Sequence, residues 1–96
     1  MPNYSEEQQK SLDKGLVDHV KGVTDMVHLY REAGADQEKF ETLQQSFKQA
    51  FKTADTAQEQ GIKLNPVFNQ LKDDVAKLDS SPQSLMDFSV KFRSKL

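Results

Sequence analysis

Apolar residues recur along this chain in steps of three and four. The clearest run is Phe40, Leu43, Phe47, Ala50, Ala54 and Ala57. That spacing lines one side of an α-helix, and a strand, with its period of two, cannot gather it on one face. A longer stripe precedes it (Leu12, Leu16, Val20, Val23, Met26, Val27, Tyr30). Two shorter ones follow: Phe68, Leu71, Val75 and Leu78, then Leu85, Phe88, Phe92 and Leu96. The pattern predicts an all-α fold, a small helical bundle of three to four helices. A long antiparallel helix hairpin carries two shorter helices packed along it.

Polar residues mark the ends of these segments. Ser5 with Gln8 three positions on forms a capping-box pattern, so helix 1 is expected over about 5–33, closing at Ala33-Gly34. Asp36 caps a second helix of about 36–60, and Gly61-Ile62 has the form of a Schellman turn. Asn65-Pro66 starts a third helix, about 66–78, and Ser81-Pro82 a fourth, about 82–95. The linker Ala33-Gly34-Ala35-Asp36 is short enough to force helices 1 and 2 antiparallel. All 96 residues are expected to form one domain.

Pairing about Gly34 sets Leu12 and Gly15 near Ala54 and Ala57 at the open end of the hairpin. It sets Val23, Val27 and Tyr30 near Phe47, Leu43 and Phe40 towards the turn. Ser11, Gly15, Gly22 and Ala33 line one flank of helix 1. An interior helical glycine costs about 0.5–1 kcal/mol relative to alanine, so close approach by helix 2 or by a partner is expected there. Two arrangements of the last helix are open. If helix 4 continues onward from helix 3, the two cover the whole hairpin. If it folds back, four helices pack at the open end and Tyr30, Phe40 and Leu43 are left partly exposed at the tip.

Composition narrows the function classes. Net charge is −2, so no field favours nucleic acid or an anionic membrane. Residues 1–60 carry seven Lys/Arg against eleven Asp/Glu, and residues 61–96 six against four. The basic excess near Lys91, Arg93 and Lys95 suits the C-terminal end of a helix dipole. With no cysteine, disulfides, thiolate catalysis and cysteine-ligated zinc are excluded. No apolar run approaches a membrane span, and the polar start MPNYSEEQQK does not read as a signal peptide. A cytoplasmic location is expected. The terminal Ser94-Lys95-Leu96 matches a peroxisomal address that has meaning only in a eukaryotic host with that terminus exposed. Phe92 and Leu96 both fit the apolar stripe, which would bury it.

Catalytic chemistry is poorly represented. His19 falls within the apolar face of helix 1, where it reads as an edge or core histidine before a ligand or switch. Asp25, His28 and Glu32 share a helix face at spacings of three and four, weak candidates for a divalent metal against the plainer reading of a solvated charged face. Asp73 and Asp74 point about 100° apart on a helix and do not converge for acid–base work. There is no phosphate cradle, no nucleophile elbow and no cofactor motif. The expectation is a non-enzymatic protein–protein interaction module acting by helix-face docking, as an adaptor, an inhibitor or antagonist, or a secretion-related factor. Its partner would be another protein or a second copy, with Tyr30, Phe40 and Leu43, or Met86 and Val90, as contacts. The alternatives are a helical carrier of a small apolar ligand and a weak metal-dependent activity.

Overall fold

The computed structural model describes residues 3–96. Five helices run in the order α1 (Glu6–Ala33), α2 (Gln37–Glu59), α3 (Val67–Gln70), α4 (Lys72–Ala76) and α5 (Pro82–Ser94), with no strand among the described residues. The caps follow the local sequence. The Gln8 N–H donates to Ser5 Oγ at 3.1 Å and the Ser5 N–H to Gln8 Oε1 at 2.9 Å, a reciprocal capping box. At the hairpin turn the Ala35 N–H reaches the Tyr30 carbonyl and the Gly34 N–H the Arg31 carbonyl, with Gly34 at φ +64°. The same pair of bonds closes α2, from Ile62 to Ala57 and from Gly61 to Gln58, with Gly61 at φ +85°. Both are Schellman closures, and each requires the left-handed backbone that glycine adopts without strain.

One expected helix is broken. The segment 66–78 divides at Leu71, whose φ of −106° and ψ of 13° lie off helical values. The break swings the chain without exposing its apolar side, since Phe68, Leu71, Val75 and Leu78 are all buried.

Hydrogen bonds between elements fix the topology. The Asn65 N–H donates to Asp13 Oδ1, Lys48 Nζ to the Val75 carbonyl, and Gln44 Nε2 to the Leu78 carbonyl, so α3 and α4 climb from the open end towards the turn. At the turn, Gln37 Nε2 donates to the Ser80 carbonyl and Arg31 to Gln83 Oε1. From there α5 descends, and by Arg93 it lies beside Lys21, Thr24 and Asp25. The last helix therefore folds back, but the four layers gather at the turn end of the hairpin. Residues 61–66 have already carried the chain past the first two turns of α1 before α3 begins, and α5 starts at the tip and stops at mid-length.

The core sits where the layers overlap. Val20, Val23 and Val27 of α1 meet Phe40, Leu43, Phe47 and Phe51 of α2 and Leu85, Phe88 and Phe92 of α5, all buried. Phe47 packs edge-on to Phe88 at 5.0 Å between ring centroids, and Phe51 to Phe68 at 5.2 Å. Such T-shaped pairs add about 0.5–1.5 kcal/mol beyond simple burial. Below Val20 the α1 stripe has little to pack on: Leu16 is half-buried and Leu12 is 46 % exposed. The molecule is elongated, 45 × 22 × 21 Å, because α1 and α2 extend as a two-helix stem beyond the four-layer body.

Candidate functional site

The fold rearranges the expected contact residues. Phe40 and Leu43, expected at a partly exposed tip, are only 3 % and 6 % exposed, because Leu78, Leu85 and their neighbours close over the turn end. They are core residues, and that is a correction to the sequence reading. Tyr30 and Met86 are half-buried and pack on the core edge. Val90 stands out at 59 % exposure, and Leu29 on α1 at 58 %. Phe92 is buried, whereas Leu96, expected to follow it inward, is 44 % exposed.

The charged face of α1 does not form a metal centre. Arg93 takes Asp25, its guanidinium donating to Asp25 Oδ1 at 2.6 Å, to the Lys21 carbonyl at 3.2 Å and to Thr24 Oγ1 at 3.0 Å. The hydroxyl of buried Thr24 in turn donates a hydrogen bond to the Lys21 carbonyl at 2.6 Å. Arg93 thus clasps α5 to α1, a role its place in a basic C-terminal cluster did not reveal. His28 and Glu32 are exposed, and among the described residues no group of three or more metal-ligating side chains converges. Lys14 and Asp18 pair at 2.8 Å on the same helix. Their hydrogen bond holds the Asp18 carboxyl below, and the Lys14 ammonium above, its ordinary range. Asp79 is also held low, by the Ser81 backbone N–H that donates to it at 2.8 Å. These are surface and cap interactions with no reacting centre between them.

The feature that the sequence did not single out lies on the stem. Between α1 and α2 runs an apolar trough of about 300 Å³, lined by Leu12, Gly15, Leu16, Thr53 and Ala57, with His19 at its edge and Leu64 reaching in from the loop after α2. Gly15 and Ala57 were expected to draw the helices together. Instead, a Cβ built on Gly15 meets nothing within 4 Å, and the same holds for Gly22. The small residues leave space because the stem lacks the outer layers that squeeze α1 onto α2 nearer the turn. A second depression, of about 310 Å³, shares Leu12, Thr53 and Ala57 and continues towards Tyr4 and Ile62, with Lys52 at its margin. No Lys, Arg, Asp or Glu lines the trough. The sequence signal for it was the α1 stripe running on through Leu12 and Leu16 opposite nothing larger than Ala54 and Ala57.

No helix among the described residues is long and apolar enough to cross a membrane. Compared with known protein families, with curated proteins and with solved structures, the chain matches none.

Proposed function

We propose that this chain is a non-enzymatic protein-interaction module that docks an amphipathic helix of its partner on the stem. The observation that carries this reading is the trough beside Leu12, which gathers Leu12, Leu16, Ala57 and Leu64 in one open depression whose lining holds no Lys, Arg, Asp or Glu. Two helices there offer a ridge-and-groove surface bordered by the loop after α2, with no third helix across it, and a partner helix supplies that layer. The small residues Gly15, Thr53 and Ala57 admit its apolar side chains. The neutral lining favours an apolar face over a charged one, since unpaired charge buried in such a contact is costly. Val90 and Leu29 are second-rank contacts in this reading: both are more exposed than Leu12, but neither lines the trough.

Site-specific photo-crosslinking in the native source tests the proposal. A photoreactive residue at Ser11 or Thr53, beside the trough, is expected to give one dominant protein adduct. The same group at Glu41, on the opposite side of α2, is expected to give none. Equal labelling from both positions would sink the docking reading. The trough's volume and neutral lining also favour a second reading, a carrier of a small apolar molecule, since about 300 Å³ is the lower end of ligand-site sizes. Native mass spectrometry showing a bound small molecule, with no adduct from Ser11 or Thr53, would put that reading first.

A further inference from the structure

Residues 61–66 run from the end of α2 to the start of α3 as a strap laid along α1. Gly61 turns the chain out of α2, and the Asn65 side chain accepts from the Val67 N–H at 2.9 Å just before the next helix. Ile62 is buried at one end of the strap, and half-buried Leu64 lines the trough together with Leu12 and Leu16. Two α1 side chains, one turn apart, fasten it. The Lys63 N–H donates to Gln9 Oε1 at 3.1 Å and the Asn65 N–H to Asp13 Oδ1 at 2.7 Å. All the phenyl pairs lie among α2, α3 and α5 in the four-layer body, so the strap and the stem it binds draw on little of the aromatic packing. Segments with few buried contacts and isolated backbone bonds open at lower free energy than the body they hang from.

We propose that the strap is a latch on the trough. Seated on Gln9 and Asp13, it holds Leu64 against the trough and keeps it narrow. Released from them, it withdraws Leu64 and opens the space between α1 and α2 to a side chain of the occupant. The consequence for binding rests on the docking reading, but the latch itself is measurable on the free protein.

Residue-resolved hydrogen exchange by NMR on the full chain is the test. Asp13→Ala removes a charged acceptor, and exchange at Asn65 is expected to accelerate about ten- to a hundredfold, the equilibrium equivalent of one such bond. Ile62 and Lys63 follow, while Phe47 and Phe88 keep their wild-type rates. Asp13→Asn leaves an oxygen where the Asn65 N–H needs one and is expected to restore most of the protection. Because the chain has no other thiol, Leu64→Cys gives a second readout: its alkylation is expected to speed up in the Asp13→Ala background. Unchanged exchange at Asn65 would overturn the latch. So would acceleration that reached Phe88 equally, since that is global loss of stability. A latch that moves while the trough gives no crosslink sinks the docking reading alone. A crosslinking trough with an unmoved strap sinks the latch alone.

Discussion

Leu85 and Leu12 are the same side chain in two settings, and truncating each to alanine separates the body from the stem. Leu85 is fully buried between α5 and the core of the four-layer region. Removing its three terminal carbons forfeits about 0.8 kcal/mol of transfer free energy for each, and the surrounding packing leaves a cavity, so the total is about 2–5 kcal/mol. Leu12 is 46 % exposed on an open trough. About half of the same transfer term applies, water fills the space that remains, and the expected cost is about 1 kcal/mol. A domain of this length has a total stability of about 5–14 kcal/mol. Leu85→Ala should therefore lower the melting temperature by about 8–40 °C and Leu12→Ala by about 4–8 °C. Thermal denaturation followed by circular dichroism gives both melting temperatures, and urea titration the corresponding free energies. Partner crosslinking from Thr53 should fall in Leu12→Ala despite its near-native stability. If Leu12→Ala costs as much as Leu85→Ala, the stem is part of the main core, and Leu12 is a structural residue and not a docking one.

Three further outcomes are expected. Gly22→Ala and Gly15→Ala should each stabilise the free chain by about 0.5–1 kcal/mol in urea melts, because a Cβ has room at both sites; only Gly15→Ala, which narrows the trough, should also weaken crosslinking. Gly34→Ala and Gly61→Ala should instead destabilise by about 1 kcal/mol, since both positions hold positive φ, and thermal melts read the contrast directly. Asp79→Ala should lower stability at neutral pH by removing a carboxylate that accepts from Ser81. The folded pKa of Asp79 is depressed, so its stabilisation is present above the ordinary carboxylate range and is lost as pH falls through the folded value. The gap between variant and wild type should close in acid, and urea midpoints compared across that range check it.

Local sequence specified the helical segments and most of their ends, though it did not mark the break at Leu71. Periodicity located the apolar faces, and Ser5, Asp36, Gly61 and Ser81 fixed the ends, because capping and left-handed closure act within a few residues of chain. The short turn at Gly34 determined the hairpin and its approximate register for the same reason. Tertiary structure decided which parts of those faces are covered. The stripe on α1 continues unbroken from Leu12 to Tyr30, yet Val20, Val23 and Val27 are buried while Leu16 is only half-buried and Leu12 exposed. The difference is set by where α3 starts and α5 stops, which depends on the strap beside Gln9 and Asp13 and on the contacts of Ser80 and Gln83 at the tip. Those bonds join residues 43 to 54 positions apart. No local pattern encodes them, so Phe40 and Leu43 looked available and the trough at Gly15 looked closed. Periodicity tells a helix which side to bury, and only the placement of its neighbours determines how much of that side is left for a partner.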